Sequence, residues 1–145
     1  MSTANLINCV LKAVSQVTQV ECQFSKPSLC DTNQIFIKSG VLVSLTGDFN
    51  GNILITSTSE VFSILSDKIY GMRLENDMLH SFTGEFGNMI MGHASSILAS
   101  DHQTKTDITP PVVFSDSNIH GYKQGLAIDI HLAGIGDMVI ILVMK

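Results

Sequence analysis

Residues 41–56 read VLVSLTGDFNGNILIT: an alternating aliphatic strand, a Leu-x-Gly, a Gly followed by a small polar residue, and a second aliphatic strand. The Asp, Asn and Gly at its centre suit a tight hairpin. The same order returns at 127–142, AIDIHLAGIGDMVIIL. Ahead of each hairpin, across a strand or two, stands an apolar-striped helix, at 3–17 and at 76–100, so the chain reads as two copies of helix, strand and hairpin. A solenoid needs about three or more units, so two copies imply a pseudo-twofold α+β domain. Helices separated by runs of strands favour a mostly antiparallel sheet with the helices packed on one face.

The remaining elements fit around this repeat. In the first helix Leu6, Ile7, Val10, Leu11, Val14 and Val17 fall at helical spacing, with Ser2 or Thr3 placed to cap its first turn. From 20 to 58 the period changes to that of strands: VECQF, QIFIKSGVLVSL and NILITST. SEVFSILSDKIYG, 59–71, predicts a second helix with a Ser-Glu start and a closing glycine. After the helix at 76–100 comes a polar loop, SDHQTKTD, and then ITPPVVF, which its two prolines restrict to an extended path at a sheet border. GLAIDIHLAG and MVIILVM form the final hairpin. Seven apolar residues at 138–144 cannot cross a bilayer core, which takes about 20 in a helix; their β-branched content makes them a buried strand.

Composition narrows the functional classes. A length of 145 residues predicts one domain, 1–145. Charged residues make up 14% and apolar ones 45%, so much of the surface is expected inside the core or in a subunit contact. A net charge of −5 with no basic run argues against a nucleic-acid or anionic-lipid partner. Cys9, Cys22 and Cys30 lack a CxxC or a matching His spacing for zinc and read as reduced thiols of a cytoplasmic protein. Asn5, Asn8 and Lys12 interrupt the N-terminal apolar pattern, so a secretory signal is not expected there.

The helix at 76–100 contains the stretch 81–92, SFTGEFGNMIMG, with three glycines in twelve residues. Each interior glycine costs a helix roughly 1 kcal/mol against alanine, so the run asks for a reason. Leu79, Phe82, Phe86, Met89, Ile90, His93 and Ile97 form an apolar stripe, while Ser81, Gly84, Glu85, Asn88, Gly92 and Ser95 fall opposite. Glu85 and Asn88, three apart, are neighbours on the exposed face, flanked by small residues. Bare backbone around one carboxylate and one carboxamide lets another molecule approach closely; a helix packing seam explains the glycines equally well. His93 on the apolar side reads as a hydrogen-bonded core histidine, and His80, His102, His120 and His131 make no metal spacing. GDFNGN is a hairpin turn rather than a phosphate loop, because no helix starts directly after it. Neither a GxSxG, Walker, GxGxxG nor HExxH motif is present.

GEFGNMIMGHASSIL (84–98), followed by DITPPVVF (107–114), resembles the signature region of the CheX-type members of the CheC/CheX/FliY family of chemotaxis phosphatases. The resemblance extends over the whole chain in element order and implies a CheC-like fold. It also implies hydrolysis of the aspartyl phosphate of a CheY-like response regulator, with the acid and amide of an ExxN motif as the functional pair. On this sequence those are Glu85 and Asn88, with Ser81 at the position that often opens the motif and Gly84 and Gly92 clearing the docking surface. CheC-type relatives bear ExxN on both repeat helices; the first helix here has no glutamate, so one site is expected. Gly87 inside the motif departs from the usual helix former. The resemblance further implies a twofold homodimer, no cofactor of the protein's own, and Mg2+ supplied by the partner regulator. The alternative reading is a non-catalytic module that uses the same stripe to bind a regulator or to dimerise.

Overall fold

The computed structural model describes residues 3–144; the capping role expected of Ser2 lies outside them. In chain order the elements are α1 (Thr3–Thr18), β1 (Cys22–Phe24), β2 (Ser28–Asp31), a 3-10 turn (Thr32–Gln34), β3 (Phe36–Gly47), β4 (Gly51–Ser57), α2 (Ser59–Tyr70), α3 (Asn76–His102), β5 (Thr106–Ile108), β6 (Val112–Asn118), β7 (Gln124–Leu132) and β8 (Gly136–Met144). Strand β2 has no counterpart in the sequence reading; its SLCD carries no alternation that would separate it from a loop. The cap of α2 is Thr58, whose side chain accepts from the Val61 amide, one residue ahead of the expected Ser, and Gly71 closes the helix at φ 79°.

All pairings are antiparallel, in the order β1-β7-β8-β4-β3-β5, with β2 also on β7 and β6 also on β3. The two hairpins meet at the centre, where β4 pairs with β8. Strands β1 and β2 from the first half complete the hairpin of the second, while β5 and β6 from the second complete that of the first. Neither half contains its own border: each is completed by strands of the other.

Alternation places Val41, Val43, Leu45, Ile53, Ile55, Ile128, Ile130, Met138 and Ile140 in one core with Leu6, Val10, Phe62, Phe86 and Ile90 of the helices. The opposite side chains, Leu54, Ile141 and Val143, form a second, smaller cluster with Ile37 and Ile119. Strand β8 is therefore buried on both faces, which is why MVIILVM reads as an unbroken apolar run. Two buried serines stitch α2 to the start of α3: Ser63 Oγ donates to the Leu74 carbonyl at 2.9 Å, and Ser66 Oγ accepts from the Leu74 amide at 2.9 Å. Asp48, in the β3–β4 turn, ties that turn to the segment after α3 by accepting from the Lys105 amide at 2.8 Å.

Helix α3 contacts α1, α2, β3, β5 and β6, so its buried arc is wider than an amphipathic stripe and takes in Thr83, Gly84, Gly87 and Met91. At Gly87 the helix lies directly on β3: a Cβ there would sit 2.8 Å from both methyls of Val41 and 3.1 Å from a Val43 methyl. Gly87 is thus required by packing rather than loosening the helix.

These contacts set the expected response to substitution. Gly87→Ala gains roughly 1 kcal/mol in helix propensity but forces a methyl into a filled contact, at about 1–3 kcal/mol, so denaturant unfolding should show a net loss of stability. Gly92, where an added Cβ would meet nothing within 4 Å, should keep the gain when changed to Ala. Separately, Ser66→Ala leaves the buried Leu74 amide without its acceptor and should cost about 1–3 kcal/mol by the same measurement.

Candidate functional site

The site is built on the middle of α3. Glu85 is exposed, Asn88 half-buried, and Ser81 exposed one turn before Glu85. Residues at this spacing share a helix face, so the pair expected from sequence is brought together. Phe82 and Phe86 on the buried side anchor this turn, their ring centroids 6.1 Å apart, and Phe86 packs edge-on against Phe62 of α2 at 6.0 Å. Underneath, the Gly87 contact holds the helix backbone against β3.

The glycines divide between the two explanations that the sequence left open. Gly84 is buried, its Cβ direction 3.2 Å from a Val113 methyl and 3.5 Å from the Pro111 ring, so it serves packing of the β5–β6 segment and clears no docking surface. This corrects its assignment to the exposed stripe. Gly92, open on the same face as Glu85 and Asn88, does leave bare backbone there. Ser95 is engaged with β5, its hydroxyl 2.6 Å from that of Thr106. His93 is exposed and hydrogen-bonds Gln16 of α1, rather than lying in the core, because the face it shares meets the rim of α1 and not its apolar stripe.

The two candidate groups differ in environment. Among the described residues no ion pair engages the Glu85 carboxylate, which stands free to meet a cation. The Oδ1 atom of Asn88 is covered from solvent and no donor among the described residues reaches it. This oxygen therefore meets a water or a partner's N–H or O–H only when the carboxamide, half-exposed on the helix face, turns outward. A carboxamide that offers an acceptor beside an unpaired carboxylate can orient a water and hold a cation at once.

Other chemistry has less support. Burial pushes the thiols of Cys9 and Cys30 up, away from the thiolate a nucleophile needs. Among the described residues no group of three or more His, Cys, Asp or Glu could hold a metal ion. His131 Nδ1 lies 2.6 Å from Asp137 Oδ1, but both are exposed on the β7–β8 hairpin, remote in sequence and fold from α3. Among the described residues no helix is long and apolar enough to cross a membrane.

Beside Glu85 the sequence reading missed a cleft of ≈ 450 Å³ between α2 and α3, lined by Tyr70, Leu74, Met78 and Phe82 with Asp77, Ser81 and Glu85 at its rim. The signal that could have found it is the apolar Met78 on the helix face that also carries Ser81 and Glu85.

Comparison with known proteins shows the family. A curated relative, the CheY-P phosphatase CheX of Thermotoga maritima, is 29% identical over 118 residues, 79% of this chain and 75% of that one. Among solved structures, a CheC-like superfamily protein from Shewanella sp. PV-4 superposes with TM-score 0.75 at 23% identity, covering 99% of this chain and 98% of the other. The CheX–CheY–BeF3–Mg2+ complex from Borrelia burgdorferi gives TM-score 0.71 at 19% identity, with 98% and 97% covered. The model of the chemotaxis phosphatase CheX family matches residues 39–131, most of the first hairpin, all of α2, α3, β5 and β6 and most of β7, and the chain belongs to that family.

Proposed function

We propose that this protein hydrolyses the aspartyl phosphate of a CheY-type response regulator, with Asn88 placing the attacking water and Glu85 anchoring the regulator. Family membership supports the reaction, as do a relative named for CheY-P dephosphorylation and one solved together with CheY. The observation that carries the residue assignment is the placement on one face of α3 of an exposed, unengaged Glu85 carboxylate and a half-exposed Asn88 carboxamide whose Oδ1 has no donor among the described residues.

The chemistry asks little of the catalyst. An acyl phosphate is already activated, so placing a water in line with phosphorus supplies most of the acceleration. Water oxygen bonds to phosphorus, the bond from phosphorus to the aspartyl oxygen breaks, and the products are inorganic phosphate and a free carboxylate. Turned toward the regulator, Asn88 Oδ1 accepts a hydrogen bond from the water and so orients its lone pair. Glu85 forms a charge-assisted pair with a lysine beside the regulator's phosphorylation pocket. Mg2+ held by the regulator would neutralise the phosphoryl oxygens, and the proposal gives this chain no cofactor of its own. Ser81 and Gly92 border the docking face. Nucleic acid and membrane have no part in the reading, in keeping with the net charge of −5.

The proposal extends to a twofold homodimer. Its support is the low charge content, 14%, and two sheet borders that pair on one side only among the described strands: β2, with Leu29 71% exposed, and β6, with Val112 52% exposed. Isologous pairing along one border would cover such an edge.

Decay of a phosphorylated regulator, followed at several regulator concentrations, tests the site. Asn88→Ala should slow saturated turnover about 100-fold or more while leaving affinity near wild type. Glu85→Ala should weaken affinity as well, since deleting one partner of a desolvated ion pair costs about 2–5 kcal/mol. Melting temperatures of both variants should stay near wild type. Retention of full acceleration by Asn88→Ala would replace catalysis with the non-catalytic binding module. For the dimer, sedimentation should give twice the mass of 15.7 kDa; a concentration-independent monomer refutes it.

A further inference from the structure

Seven large hydrophobic side chains are exposed among the described residues, and three of them fall at the α2–α3 junction: Tyr70 at 52%, Met72 at 56% and Met78 at 61%. Tyr70 and Met78 form walls of the cleft beside Glu85, whose floor is Leu74 and Phe82. The Tyr70 ring meets Phe82 edge-on at 5.4 Å, and the Ser63 and Ser66 hydrogen bonds to the Leu74 backbone hold its floor, so one wall and the floor of the cleft are built by fixed contacts. Its rim is anionic, with Asp77 and Glu85 and no cationic side chain lining it. Clustered apolar exposure with a polar rim marks an interaction surface, and methionine adapts to varied partners.

We infer that this cleft is the specificity pocket for the regulator: it receives an apolar side chain of the receiver domain, flanked by a cationic one, when Glu85 and Asn88 engage the phosphorylated pocket. The inference rests on the regulator reading above and adds the residues that choose the partner. Distance supports it. Met78 precedes Asn88 by ten residues on one helix, an axial rise of about 15 Å. A specific interface covers about 800 Å² on each partner, a disc of radius about 16 Å. A receiver centred on the Glu85–Asn88 face therefore extends over the cleft. Glu85 belongs to both, so the regulator can reach the site only by covering the rim of the pocket. Charge selects the occupant further, because an acidic rim repels an acidic segment and favours Lys or Arg beside the apolar group. A second copy of this chain would bring the same acidic rim to itself.

The test titrates CheY-type receivers of the same organism, activated with beryllofluoride and Mg2+, onto wild type, Met78→Ser, Met78→Leu and Asp77→Lys, with phosphoregulator decay and sedimentation run in parallel. Met78→Ser should weaken binding about tenfold, Met78→Leu should bind like wild type, and Asp77→Lys should weaken binding most at low salt. Turnover at saturating regulator should be unchanged in all three, a separation that Asn88→Ala does not show. If wild type accelerates decay but Met78→Ser and Asp77→Lys bind within twofold of it, the pocket inference is overturned and the phosphatase reading stands. A change in sedimentation mass for Met78→Ser overturns it too, by assigning the cleft to self-association. Wild type that neither binds nor accelerates any receiver overturns the phosphatase reading and the pocket together.

Discussion

The seating of α3 on β3, with Gly87 directly upon Val41 and Val43, sets the geometry on which the rest depends. A side chain at that position would lift the helix from the sheet, and every residue on its outer face would move with it. Because the contact is between backbone and two β-branched side chains, it has little freedom to relax. It also joins the halves of the pseudo-twofold: α3 belongs to the second repeat and β3 to the first. The helix that bears Glu85 and Asn88 is thus fixed by the other half of the molecule.

The exchange of border strands works in the same direction. With β1 and β2 completing β7, and β5 and β6 completing β3, each hairpin is finished by its counterpart's strands. Pro110 and Pro111, between β5 and β6, place Pro111 over Gly84, so α3 is clasped from beneath and from the side around Glu85. A positioning catalyst benefits from such support, since its contribution is geometric and lost by small displacements.

The element types were legible in the sequence because their signals are local. Alternation in VLVSL and AIDIHL, turn residues in GDFNGN, and the three-and-four spacing of Leu6, Val10 and Val14 each describe a few neighbouring residues. The pairing of Glu85 with Asn88 was legible for the same reason, as helical spacing alone puts residues three apart on one face. Strand β2 was not, since its residues have no period of their own and become a strand only by hydrogen-bonding to β7.

What only the tertiary structure decided is the meaning of the glycines and the environment of the pair. Gly84 and Gly87 against Gly92 cannot be told apart by spacing, because the difference lies in Val113, Pro111, Val41 and Val43, distant in sequence and brought in by the sheet. His93 falls on a face that a helical wheel marks as apolar, yet it is exposed beside Gln16, because burial depends on where α1 ends its contact. The Tyr70–Met78 cleft likewise arises only where α2 and α3 meet. Sequence by itself determined which side chains can share a face, a matter of backbone period. Which of those faces meet protein and which meet a partner was decided by long-range packing, which no local period encodes.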